Sequence, residues 1–142
     1  MYAIESTAFG FRLTFSGNMS VEESEKWLVD CSRSLASALA KFGVLSDMRS
    51  MGTLLPKCQD ILVRGQRAFR ARGLERSAVV ASKGYVLTQL KMIALTSGIY
   101  QGERYLDAMA RRDWESEALA WIVAGREPDQ PAREGQGMKE AP

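Results

Sequence analysis

Asp47 and Arg49, followed by Ser50, Thr53 and Lys57, form the densest grouping of chemically able side chains in the sequence. A carboxylate, a guanidinium, two hydroxyls and an ammonium can pair with one another, grip a polar ligand or, at the hydroxyls, carry a phosphate. Asp47 and Arg49 stand two apart on a strand pattern and so point to the same side. The cluster ends the apolar run Val44-Leu45 and precedes a helical pattern, where a parallel strand would end. Ligands and partners of open α/β sheets gather at such carboxyl ends. Catalytic alternatives are thin. With no histidine in the chain, neither a Ser-His-Asp triad nor a typical zinc site can be composed. The acids form no pair with separable acid and base roles, and Ser82-Lys83-Gly84 is too short for a nucleotide-binding loop. The expectation is a protein without catalysis, cofactor or metal.

The elements that must position this cluster follow from periodicity. Phe9, Phe11, Leu13 and Phe15 alternate with Gly10, Arg12, Thr14 and Ser16, the pattern of a strand with one buried face. Tyr2 and Ile4 form a shorter strand before it, joined by a tight turn near Ser6 to Ala8. Ser20 with Glu23 makes a capping box for a helix from Val21 to about Lys41, whose apolar positions Leu28, Cys31, Leu35, Ala38 and Leu39 share a face. Gly43 releases the chain into a strand from Val44 to Met48. Thr53 then caps a second helix reaching about Arg72, with Pro56 in its first turn and Gly73 as terminator. Ser77 to Ala81 is the continuous apolar run of an interior parallel strand. A third helix passes through Val86, Leu90, Ile93, Ala94 and Ser97 to Gly98. Glu103 to Ala108 is the last strand, with Tyr105 and Asp107 on one face and Arg104 and Leu106 on the other. Asp113 caps a final helix carrying Trp114, Ala118, Trp121 and Ile122.

Two strands followed by alternating helix and strand predict an α/β fold over residues 1–125: a single domain with a mostly parallel sheet of about five strands, one antiparallel edge and about four helices. Residues 126–142 hold three of the four prolines and one large apolar residue, Met138, and read as a disordered tail.

Lys plus Arg number 19 against 17 Asp plus Glu, a balance of +2, so no strong field recruits a polyanion. Lys57, Arg64, Arg67, Arg70, Arg72 and Arg76 make the second helix and its exit basic. Asp60 interrupts them and no aromatics interleave to stack bases, so they read as a solvated face and nucleic acid is not expected. Cys31 and Cys58 fall in apolar helical patterns and read as buried free thiols of a reducing compartment. No run approaches the ~20 apolar residues of a membrane span. A soluble cytoplasmic protein is expected.

The pattern resembles the anti-sigma-factor-antagonist (STAS) fold, and within it the SpoIIAA-like, or STAS/SEC14-like, branch of small bacterial proteins. The residues that carry the resemblance are Phe15-Ser16-Gly17 before Met19-Ser20-Val21-Glu22-Glu23, then Leu45-Ser46-Asp47-Met48-Arg49, Arg76-Ser77-Ala78-Val79-Val80, Glu103-Arg104-Tyr105 and Glu117-Ala118-Leu119-Ala120-Trp121-Ile122. The phosphoregulated members carry an Asp-Ser-Ser-Gly-like motif at the start of the second helix. This chain instead reads Met48-Arg49-Ser50-Met51-Gly52-Thr53 after Asp47, which offers hydroxyls without that motif. The resemblance implies a non-enzymatic regulatory module.

These readings converge on a domain that binds a regulatory partner through Asp47, Arg49, Ser50, Thr53 and Lys57, with Ser50 and Thr53 as candidate phosphoacceptors. The competing expectation is a carrier or sensor of a small apolar ligand, in a pocket lined by Met48, Met51, Trp114 and Trp121. A homodimer is compatible with either. The plainer structural readings are an Asp47–Arg49 ion pair that fixes the turn, Thr53 as a helix cap, and methionines and tryptophans that fill a core.

Overall fold

A computed structural model describes residues 1–128 of the chain. The strands are β1 (Tyr2–Ser6), β2 (Gly10–Gly17), β3 (Phe42–Met51), β4 (Leu74–Ala81) and β5 (Glu103–Asp107). The helices are α1 (Val21–Leu35), α2 (Pro56–Arg72), α3 (Gly84–Ser97) and α4 (Trp114–Ala124), with a 3-10 turn at Tyr100–Gly102. The sheet order is β1-β2-β3-β4-β5, antiparallel between β1 and β2 and parallel elsewhere. This is the expected α/β domain with its antiparallel edge. Right-handed crossovers that step steadily along the sheet put α1, α2 and α3 on one face, and α4 takes the other.

The burial follows from that arrangement. Phe11, Leu13, Phe15, Val44 and Met48 face the three helices in the larger core. Its centre is aromatic: Trp27 meets Phe15 at 5.9 Å and Phe69 at 6.4 Å between ring centroids, and Phe42 meets Phe11 and Phe69 edge-on. Leu45, Ala78, Val80 and Leu106 face α4 in a smaller core closed by Trp114, Ala118, Trp121 and Ile122. Cys31 and Cys58 are buried free thiols.

Several boundaries differ from the sequence expectation for physical reasons. α1 stops at Leu35 rather than near Lys41, and Leu39 is 54% exposed instead of sharing the buried face. Ser32, Ser34 and Ser37 turn their hydroxyls onto carbonyls three or four residues back, competing with the helical ladder. The freed carbonyls of Ala38 and Leu39 accept from Arg72 instead, at 2.6 and 3.1 Å. The expected alternation from Phe9 onward holds only after Gly10 (φ +149°), because Phe9 stands in the turn that Thr7 and Gly10 close with paired backbone bonds and packs on the α4 side. A Cβ at Gly10 would meet the Gly43 carbonyl at 2.1 Å, so glycine is required there. Only half of the capping box forms. Ser20 Oγ accepts from the Glu23 amide at 3.0 Å, while the Glu23 carboxylate takes the chain's own ammonium.

β3 runs to Met51, beyond the expected Met48. Thr14 opposes Asp47 but Ser16 opposes Ser50, so β3 holds one extra residue in a bulge between them. Thr53 does not cap α2. The residue before a proline is pushed to extended backbone, so the helix starts at Pro56 with Leu55 (ψ 152°) before it and no side-chain cap. Asp113 stands at the start of α4 without a capping bond from its side chain. Gly73 and Gly98 end α2 and α3 as expected. Of the expected tail, Glu127 is described in a two-pronged pair with Arg104 at 2.8 Å, and residues 129–142 lie outside the described residues.

Candidate functional site

The bulge in β3 and the register with β2 build the cluster at the strand end. Asp47 is 5% exposed and accepts four hydrogen bonds. Arg49 grips it with two prongs, Nε to Oδ1 at 3.0 Å and Nη2 to Oδ2 at 2.8 Å, and adds its backbone amide at 3.1 Å. Arg12 of β2, opposite Leu45 and on the same face, donates to Asp47 Oδ2 at 3.3 Å and to Glu115 of α4 at 2.7 Å. The Arg49 guanidinium lies 4.6 Å from the Trp114 ring centroid. Two strands therefore meet on one carboxylate, and α4 reaches its two arginines through Glu115 and Trp114.

Burial alone pushes the Asp47 carboxyl up. The hydrogen bonds from the Arg49 side chain and amide, with the charges of Arg49 and Arg12, outweigh it and hold the group below its ordinary value. A carboxylate so occupied is a poor proton acceptor and a good anchor. What it anchors is Arg49, whose side chain remains 43% exposed.

The other expected contact residues follow it along the chain. Ser50 is exposed on β3 just past the bulge. Thr53 is exposed in the connection to α2, with its amide bonded to Asn18 Oδ1 at 3.1 Å. Lys57 is exposed in the first turn of α2. Arg12, Glu115 and Trp114 join Asp47 and Arg49 from elements that the sequence reading did not connect to them, while Ser50, Thr53 and Lys57 follow the pair along the chain as exposed residues. Arg12 had a signal, a charged residue on a strand face otherwise held for polar neutral groups. Glu115 had none, because its place depends on how α4 returns across the sheet.

The four residues expected to line an apolar pocket do not come together. Met48 and Met51 belong to the three-helix core, and Trp114 and Trp121 to the α4 core, with the sheet between them. Trp121 donates to the Ser77 and Gly102 carbonyls at 2.9 and 3.2 Å, and Arg104 stacks on its ring at 3.9 Å. The internal cavity that Met48 lines, with Phe15, Trp27, Ser46, Gln66 and Glu103, has a volume of about 20 Å³. That is room for about one water molecule.

Glu103, at that cavity, enters the sequence reading only as a residue of the last strand and not as a site. It is 4% exposed and accepts from Ser77 Oγ at 2.8 Å and Tyr105 Oη at 2.7 Å, with no cation bonded to it among the described residues. Burial pushes its carboxyl up to about 7 against those two bonds. Its parity with inward-facing Tyr105 was the available signal.

No protein-family model and no curated protein matches this chain. Among the described residues, no three of His, Cys, Asp or Glu gather as a metal site would need. The site is read from its own geometry.

Proposed function

We propose that the chain is a STAS-like interaction module of the cytoplasm, acting without catalysis, which presents the edge from Asp47 to Lys57 to a regulatory protein partner. The observation that carries this reading is the posture of Arg49. It is locked from behind by Asp47 and from below by Trp114, while its outer side stands open to solvent, and exposed Ser50, Thr53 and Lys57 follow it along the chain. A long side chain fixed in advance loses less entropy on binding than a free one, so a pre-held cation suits recognition. The edge offers donors and positive charge, which fits a partner segment rich in carboxylates or carbonyls. The order of strands and helices supports the STAS-like part of the reading.

Ser50 and Thr53 are the candidate switch. A phosphate on either would place about two negative charges beside Arg49 and Lys57 and reverse the charge the edge displays. The alternative of a small apolar ligand draws no support from an internal cavity the size of one water.

Capture from cell extract tests the surface. In Thr53→Glu with Lys57→Glu, two exposed side chains change and no internal side-chain bond is lost, so folding should be preserved. The double variant should lose a partner that the unaltered chain retains. Recovery of the same proteins in equal amounts by both chains would overturn the assignment.

A further inference from the structure

α3 departs from the usual division of a surface helix. Val86, Leu90, Ile93, Ala94 and Ser97 are buried against the sheet, and the opposite face is where charge belongs. Tyr85, Met92 and Leu95 stand there instead, 50%, 59% and 55% exposed, with Thr88 between them at the spacing of one helical ridge. α3 contains no acid, and its one charged residue is Lys91.

Cations rim this ridge. Lys83 precedes α3, its ammonium 6.0 Å from the Tyr85 ring centroid. Arg67 of α2 donates to the Thr96 carbonyl at 3.2 Å, and exposed Arg64 lies one turn earlier on the same stripe. Arg70 packs beside Gly98 at the end of α3. The one acid of α2 is Asp60.

We propose that the outer ridge of α3 docks on an anionic lipid surface, with Tyr85, Met92 and Leu95 entering the headgroup boundary and Lys83, Lys91, Arg64 and Arg67 meeting lipid phosphates. Charge complementarity selects this occupant. An apolar stripe flanked by lysine and arginine is how a helix lies in the interface of an anionic bilayer. A nucleic acid needs a series of stacking rings, and the ridge offers only Tyr85. The apolar side chains crown one helix rather than line a groove between two, so a planar surface fits them where a partner helix would need a groove. The contact is peripheral, since no helix among the described residues is long and apolar enough to cross a membrane. It uses none of the residues from Asp47 to Lys57, so it stands or falls separately from the partner-binding edge.

Co-sedimentation of the full chain with vesicles of phosphatidylglycerol and phosphatidylcholine in equal parts, against phosphatidylcholine alone, tests the proposal. Partition is expected to be about tenfold or more stronger on the anionic vesicles and to weaken at high salt. Met92→Ser with Leu95→Ser removes apolar contact at exposed positions and should reduce anionic binding about tenfold. Lys83→Glu with Lys91→Glu should reduce it at least about 25-fold. Equal partition onto the two vesicle types, or anionic binding unchanged in either variant, would overturn it. So would a dimer in size-exclusion chromatography that Met92→Ser with Leu95→Ser splits into monomers, because the ridge would then belong to a second copy.

Discussion

Asp47 and Glu103 are both buried carboxyls, and their surroundings drive them in opposite directions. Asp47 has Arg49 and Arg12 to favour its charge, so its carboxyl sits low. Its stabilising effect is complete above the ordinary Asp range and is lost as pH falls through the depressed folded value. Asp47→Asn keeps the shape but removes the charge from two arginines that remain partly wet. It should cost about 2 kcal/mol at neutral pH, read from urea unfolding. Glu103 has hydroxyls but no bonded cation among the described residues, and burial raises it from an ordinary 4.5 to about 7. An acid raised in the folded state contributes stability below its unfolded value and loses it as pH rises through the folded one. Roughly 3 kcal/mol should therefore be lost between those two values. Glu103→Gln keeps an acceptor and lets the Ser77 and Tyr105 hydroxyls turn to suit the amide. The variant should be the more stable chain at alkaline pH, with a flatter profile. A profile as steep as that of the unaltered chain would show that Glu103 is not the titrating group.

Among the elements, periodicity located β2 and the helices, which bury one face and leave a repeat in the sequence, and a continuous apolar run located β4, which is buried on both faces. Ends were less legible. α1 ends where its serines bond back onto its carbonyls, and Arg72, from a different helix far along the chain, holds the Ala38 and Leu39 carbonyls just past that end. β3 overruns its expected end because a bulge lets Ser50 and Met51 rejoin β2, an event of pairing rather than of composition. Thr53 looked like a cap because it precedes a helical pattern, but Pro56 dictated the start. Packing between elements sets the cost of change. Gly65 of α2 lies so close to Trp27 of α1 that a Cβ would meet the ring at 2.3 Å. Gly65→Val should force the two helices apart and cost about 3 kcal/mol, with a matching fall in thermal midpoint. A loss under about 0.5 kcal/mol would mean that α1 and α2 are not held at this distance.

Over the whole molecule, the sheet decides which residues can act together. Asp47 and Arg49 could be paired from sequence because parity along one strand is local. Arg12, Glu115 and Trp114 join them through sheet register and the return of α4, neither of which is written in any short segment. Met48 and Trp114 looked like partners in composition, yet they face opposite sides of the sheet. The proposed seat of a protein partner is the edge from Asp47 to Lys57. A photo-crosslinking residue placed at Ser50, compared with the same residue at exposed Glu22 on α1, tests it most directly in cells. A discrete adduct of higher mass is expected from position 50, absent from position 22 and lost with Thr53→Glu and Lys57→Glu. Adducts that are the same from both positions, or none from position 50, would contradict it.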